Sequence, residues 1–214
     1  MLRVSRQPDG RPEIFHSLQG EGTTIGTPTV FLRLAMCNLA CSWCDTKYTW
    51  DWEHFDYKSE VVSLDIERVE QAILAFNCTH LVITGGEPLL QQKELVPLIA
   101  SMKGTGFYCE VETNGTIGPI PELERWIDQW NVSPKLSTSG NPKDRREVPD
   151  ALEHFRRLSG AYFKFVIVEP RDIERVGALR DKYRLPSDRI ILLPEGRSLE
   201  ELGDRSQWVS DGSK

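Results

Sequence analysis

The stretch Thr29-Val30-Phe31-Leu32-Arg33-Leu34-Ala35-Met36-Cys37-Asn38-Leu39-Ala40-Cys41-Ser42-Trp43-Cys44 decides how the rest of the chain is read. Its opening is an apolar run interrupted only by Arg33, the pattern of a buried strand. Its close holds three cysteines spaced Cys37-x3-Cys41-x2-Cys44. Three thiolates this close can grip one soft metal centre from one side. No fourth ligand is near, since His54, the closest candidate, lies ten residues beyond Cys44. A structural site closes its coordination shell, whereas a reactive one keeps a position open. The spacing points to a reactive centre with a vacancy for a group that is not protein, and it favours an iron–sulfur cluster over zinc.

Outward from this stretch, β-rich runs alternate with helical patterns. Strands are expected at 29–34, 81–84, 107–112, 130–133, 162–168 and 189–193. Several are near-continuous apolar runs, as expected of parallel strands covered on both faces. Between them, Ile66, Val69, Ile73 and Phe76 mark one helix, capped by Ser63 or Asp65. Leu95, Leu98, Ile99 and Met102 mark a second, and Leu123, Trp126 and Ile127 a short third. Leu152, Phe155 and Leu158 follow Pro149, which suits a first helical turn. Ile173, Val176 and Leu179 give a fifth, and Ser198-x-x-Glu201 reads as a capping box opening a sixth. Strand then helix, six times over, predicts right-handed βαβ units on a curved parallel sheet. The fold class is therefore α/β, a partial (β/α)6-type barrel, because six units are too few for eight-fold closure. Residues 47–63 fit no regular element. Their aromatics and interleaved acids suggest an irregular insertion, either a lid or an ordinary surface excursion.

Ligands of parallel βα sheets bind beyond the carboxyl ends of the strands. The unusual residues collect there: the cysteines, Thr84-Gly85-Gly86-Glu87-Pro88, Glu112-Thr113-Asn114-Gly115, Ser133-Pro134-Lys135 and Leu193-Pro194-Glu195-Gly196. Gly85-Gly86 suits either a plain turn or the close approach of a ligand. Of the other cysteines, Cys109 shares an alternation face with Phe107 and Val111 and belongs to the core, while Cys78 ends a helix as a packed thiol. Lys164 points either into the barrel or outward.

Composition narrows the function classes. A chain of 214 residues fits one domain. Apolar content of 39% and charged content of 27% describe a soluble globular protein. No apolar run approaches the roughly 18–20 residues of a membrane span, and the N-terminus lacks the apolar core of a secretory signal. A formal charge of −6 argues against a broad nucleic-acid-binding face. Five cysteines, three of them clustered, are not a secreted disulfide framework, so the expected compartment is the reducing cytoplasm.

The cysteine triplet followed by Gly85-Gly86-Glu87-Pro88 resembles the radical S-adenosylmethionine (SAM) superfamily. That resemblance implies a [4Fe–4S] cluster on Cys37, Cys41 and Cys44, with SAM chelating the fourth iron and cleaved by one electron to a 5′-deoxyadenosyl radical. Ile14-Phe15-His16-Ser17-Leu18-Gln19-Gly20-Glu21-Gly22, with Phe31-Leu32-Arg33 and Cys44-Asp45-Thr46, is similar more narrowly to the 7-carboxy-7-deazaguanine synthase family. The match extends through Ser133-Pro134-Lys135 to Leu193–Gly196, nearly the whole chain. It implies ring contraction of 6-carboxy-5,6,7,8-tetrahydropterin with loss of ammonia, a carbon–nitrogen lyase reaction on the path to queuosine and related deazapurines. It also implies Mg2+ beside the cluster, a homodimer, and a separate electron donor such as flavodoxin.

By position, the resemblance makes Leu18, Gln19 and Gly20 a substrate-binding turn, with Arg33 and Thr84 as further substrate contacts. A guanidinium fork suits the substrate's carboxylate, and the alternative for Arg33 is a structural ion pair. Trp43, Cys44 and Asp45, then Gly86, then Ser133, Pro134 and Lys135, and last Leu193, Pro194, Glu195 and Gly196, match SAM-binding segments. Thr46 matches the Mg2+ ligand, in company with waters and substrate. Family members carry a His in a terminal segment that reaches the substrate. Here the sequence closes with Trp208-Val209-Ser210-Asp211-Gly212-Ser213-Lys214, so an early C-terminus is expected. Two other functions stay open on sequence: a glycyl-radical activating enzyme, which shares the triplet and the Gly-Gly-Glu-Pro turn, and a zinc-stabilised binding module.

Overall fold

Every strand expected from the sequence forms, and three more join them. The computed structural model describes residues 1–196 and 198–212. In chain order the strands are β1 (Leu2–Ser5), β2 (Ile14–Leu18), β3 (Pro28–Leu34), β4 (Val61–Leu64), β5 (His80–Gly85), β6 (Tyr108–Thr113), β7 (Gln129–Val132), β8 (Ala161–Ile167) and β9 (Ile190–Pro194). The path β3-β5-β6-β7-β8-β9 is parallel throughout, and among the described residues β9 does not pair with β3, so the barrel is partial.

The helices are α1 (Tyr57–Glu60), α2 (Ile66–Leu74), α3 (Gln92–Gly104), α4 (Pro121–Glu124), α5 (Lys143–Arg146), α6 (Pro149–Arg157), α7 (Arg171–Tyr183) and α8 (Leu199–Gly212). Asp65, not Ser63, caps α2, its carboxylate accepting from the Arg68 amide at 3.2 Å. The Ser198 hydroxyl accepts from the Glu201 amide at 3.1 Å ahead of α8. Trp126 and Ile127 lie past the end of α4 yet still pack on the core. Cys78 lies beyond the end of α2, in the turn before β5, with its thiol 3.1 Å from the Pro28 carbonyl. The expectation for the chain end includes Ser213 and Lys214, which lie outside the described residues.

The antiparallel strands correct the sequence reading. β1 pairs with both β3 and β4, and β2 pairs with Pro28–Leu32 of β3. The segment 47–63 is thus not wholly irregular: it contains α1 and runs into β4, whose Val61–Leu64 completes the outer edge of the sheet. These strands are four or five residues long, too short for alternation to be distinctive.

Strand alternation splits the molecule in two. Val30, Leu32 and Leu34 of β3, Cys109 and Val111 of β6, Trp130 and Val132 of β7, and Phe163, Phe165 and Ile167 of β8 are buried in the apolar core, together with Val69 and Ile73 of α2, Leu95, Leu98 and Ile99 of α3 and Phe155 of α6. Each such side chain contributes about 1.5–3 kcal/mol by leaving water. The intervening residues, Arg33, Glu112, Asn131, Ser133, Lys164 and Val166, line a cavity instead. The inner face is mostly polar, which the expectation of strands apolar on both faces did not anticipate.

Candidate active site

The cavity encloses about 500 Å3 at the carboxyl ends of the parallel strands, within the roughly 300–1,000 Å3 typical of small-molecule sites. On the cysteine side it is lined by Cys37, Cys41, Trp43, Cys44, Asp45 and Thr46. Leu18, Gln19, Gly20 and Arg33 form another wall, and Thr84, Gly86, Ser133 and Lys135 a third. Leu193, Pro194, Glu195 and Gly196 complete the rim. Of the residues expected at the site, Pro134 alone lies outside this lining. His54 is far from it in character: its ring is exposed and paired with Asp51 at 3.0 Å.

The backbone explains why the cysteine loop sits where it does. After β3, Met36 adopts a positive φ of 78° and donates its amide to the Thr49 carbonyl at 2.7 Å. The Gly86 and Glu87 amides donate to the Leu34 and Met36 carbonyls at 2.9 and 2.7 Å. A Cβ at Gly85 would stand 2.0 Å from the Leu34 carbonyl oxygen, and one at Gly86 2.1 Å from that of Met36. The two glycines therefore admit the chain's own cysteine loop, as well as lining the cavity. Glu87, fully buried, accepts from the Leu89 and Asn114 amides and the Thr113 hydroxyl at 3.0, 2.7 and 2.8 Å. It locks the Gly-Gly-Glu-Pro turn to the Thr-Asn-Gly turn. Burial pushes its carboxyl above the usual range against those three donors.

The three thiols suit a cluster. They lie on one loop, face one cavity, and each has an N–H group near its sulfur. Among the described residues no three Cys, His, Asp or Glu side chains are gathered as a single ion requires. Thiolates that each hold a different iron of a cube have no need to converge on one point. Burial pushes the Cys37 thiol up to about 12 and raises that of Cys41, so binding iron must displace protons from them. Thr46 Oγ1 lies 3.6 Å from Cys44 Sγ, which sets the expected Mg2+ ligand beside the cysteine loop.

Arg33 forms the structural ion pair and also faces the cavity. Its Nε is held by Glu13 at 2.7 Å, and the Tyr48 hydroxyl grips the same carboxylate at 2.9 and 3.0 Å. The guanidinium nevertheless lines the cavity. It is a pre-positioned cation rather than a closed surface pair.

Sequence reasoning set Glu112 at the rim without giving it a role, did not single out Glu21 or Asn131, and left Lys164 undecided. Lys164 is 3% exposed and points inward. Its ammonium bridges Glu21 at 3.0 Å and Glu112 at 3.2 Å, while Thr84 donates to Glu112 at 2.8 Å. Burial opposes the charge on Glu112, but Lys164 and the hydroxyl of Thr84 outweigh it and hold its carboxyl below the usual range. Burial likewise opposes the charge on Lys164, and the two carboxylates raise it above the ordinary lysine value. The signal was present in Cys109-Glu110-Val111-Glu112, where acids alternate with apolar residues inside a strand.

An incomplete parallel barrel with three thiols on the loop after its first parallel strand defines a radical SAM enzyme, and residues 33–134 match the family model described as Radical SAM superfamily. Such an enzyme works with a [4Fe–4S] cluster and SAM. The chain is 39% identical over 204 residues to the 7-carboxy-7-deazaguanine synthase of Pyrobaculum aerophilum, covering 94% of this chain and 86% of that one. It is 34% identical to the synthase of Hyperthermus butylicus, covering 85% and 75%. The crystal structure of QueE from Escherichia coli superposes with a TM-score of 0.67 at 28% identity, over 98% of this chain and 90% of that one. The chain belongs to the 7-carboxy-7-deazaguanine synthase family. A structure of TYW1 with a lysine-pyruvate adduct, at 17% identity and a TM-score of 0.61, shares the fold. These relatives favour neither the activase nor the zinc-module alternative.

Proposed function

We propose that this chain is a lyase that contracts 6-carboxy-5,6,7,8-tetrahydropterin to 7-carboxy-7-deazaguanine with release of ammonia, in the route to queuosine and related deazapurines. The observation that carries this reading is the meeting in one cavity of the three thiols, Arg33, Gln19 and Thr84, in a chain of that family.

When bound, the cluster and SAM supply a radical able to remove a hydrogen atom from the substrate. The protein's part is placement. Arg33, fixed through Nε by Glu13, offers its remaining N–H groups to the substrate carboxylate. Leu18, Gln19, Gly20 and Thr84 bracket the ring, and the Glu112–Lys164 pair walls the same space. Cys37, Cys41 and Cys44 hold the cluster. Trp43, Asp45, Gly86, Ser133, Lys135 and the segment Leu193–Gly196 hold SAM. Lys135 is braced for this, its ammonium 2.8 Å from the Ser133 hydroxyl and 5.4 Å from the centre of the Trp43 ring. Pro134 shapes that turn without reaching the cavity. Thr46 holds Mg2+, with waters and substrate oxygen as the other ligands.

The chain works as one catalytic domain, in the cytoplasm, as a homodimer, with an external one-electron donor of the flavodoxin kind. No described helix is long and apolar enough to cross a membrane. The test is anaerobic reconstitution with iron and sulfide, then SAM, reductant, Mg2+ and the carboxypterin. A product lighter by one ammonia is expected, with turnover abolished in Cys37→Ala, Cys41→Ala or Cys44→Ala and lowered when Mg2+ is chelated. Full turnover in any of the three cysteine variants overturns the reading.

A further inference from the structure

Each sulfur of the cysteine loop has a neutral N–H donor near it, one from the segment just after the loop and two from distant parts of the chain. Trp50 Nε1 donates to Cys44 Sγ at 3.3 Å. Asn141 Nδ2 donates to Cys41 Sγ at 3.2 Å. Asn114 Nδ2 lies 4.0 Å from Cys37 Sγ, at the limit of contact. An indole N–H and a carboxamide NH2 are not metal ligands, so these groups can act on the sulfurs only by donating hydrogen.

The amide of Asn141 shows how specific the arrangement is. Its oxygen accepts from the Ala40 amide at 2.9 Å, which fixes which end of the group faces the loop. One amide hydrogen can go to the Ser139 hydroxyl at 3.2 Å, leaving the other for the sulfur. Asn141 is 9% and Cys41 8% exposed, so water competes little for that contact. Trp50 sits in the segment after the cysteines, half-buried, with its ring nitrogen aimed at the cavity-lining thiol rather than at solvent.

We propose that Trp50 and Asn141 set the reduction potential of the cluster by hydrogen-bonding two of its ligand sulfurs. The inference rests on the reading that Cys41 and Cys44 hold a [4Fe–4S] cluster. Reduction adds one electron to the unit of cluster and thiolates, and part of that charge resides on the sulfurs. A hydrogen bond to a more negative sulfur is stronger, so each donor stabilises the reduced form more than the oxidised one and raises the potential. Because both donors are neutral and do not titrate in the working range, their effect is the same at every pH at which the protein is folded. They are positioning residues, since they act through the cysteine sulfurs.

The experiment is a dithionite titration of the reconstituted enzyme under argon, without SAM, with the reduced cluster read by electron paramagnetic resonance. Wild type is compared with Trp50→Phe, which keeps the ring and loses the N–H, and Asn141→Leu, which keeps the bulk and loses the amide. Iron and sulfide content is measured for each. The expected result is full cluster content with the reduction equilibrium shifted about tenfold against reduction in each variant, about 59 mV more negative for one electron. An unchanged midpoint in both fully loaded variants overturns the proposal. So does loss of the cluster from both, which would make the two donors holders of the loop rather than tuners. If only Asn141→Leu loses its cluster, the Trp50→Phe midpoint decides. A wild-type chain that takes up no cluster refutes the proposed function first, an outcome distinct from a loaded enzyme whose potential does not move.

Discussion

At the scale of single residues, Gly85 shows how tightly the site's backbone is drawn. Its φ of 134° is one that side chains rarely adopt, and a Cβ would collide with the Leu34 carbonyl. Gly85→Ala is expected to cost about 3 kcal/mol in chemical denaturation and to lower cluster uptake, since the clash falls on the strand that launches the cysteine loop. Arg33 carries a different prediction. Arg33→Lys keeps a charge but cannot both hold Glu13 and present a planar fork. We expect KM for the pterin to rise about tenfold, roughly 1.4 kcal/mol of binding, with cluster content unchanged by iron analysis. The cysteines were legible from sequence because their spacing is itself the chemistry. The tie from Arg33 to Glu13 was not, because it joins a β3 side chain to a residue in the bend before β2, through a pairing that no local pattern announces.

At the scale of elements, the parallel strands were legible and their inner faces were not. β6 and β8 send Glu112 and Lys164 inward from between fully buried neighbours, and the buried half of each alternation dominated the reading. The outer antiparallel strands were missed because each is too short to show a period and depends on pairing for its stability. The Glu112–Lys164 pair has a pH dependence whose sign follows from its shifts. Glu112 is lowered from its ordinary 4.5, so its contribution to stability is full above that value and is lost as pH falls through its folded value. Lys164 is raised from its ordinary 10.5, so its contribution is full below that value and is lost as pH rises through its folded value. Urea midpoints should therefore carry a constant contribution from this pair between those limits. Lys164→Met should lose about 1–3 kcal/mol by leaving the half-buried Glu112 carboxylate without its cation, and the double variant with Glu112→Gln should recover much of it.

At the scale of the whole molecule, the cluster should act as a structural ligand as well as a reagent. Its loop is tied to β5 through the Gly86 and Glu87 amides and to the turn after β7 through Asn141. A group that binds only the folded chain stabilises it, so removing iron with a chelator should lower Tm. The same treatment of a variant lacking all three cysteines should leave Tm unmoved, and differential scanning calorimetry on the two proteins checks both. The Asn141–Cys41 contact has one more consequence, this time for the order of events at birth. A hundred residues separate donor from sulfur, so a nascent chain exposes its thiols long before their neighbour has been synthesised. Iron delivered at that moment would find the ligands but not their surroundings. Loading is thus expected to follow the synthesis of Asn141 rather than that of the cysteines alone.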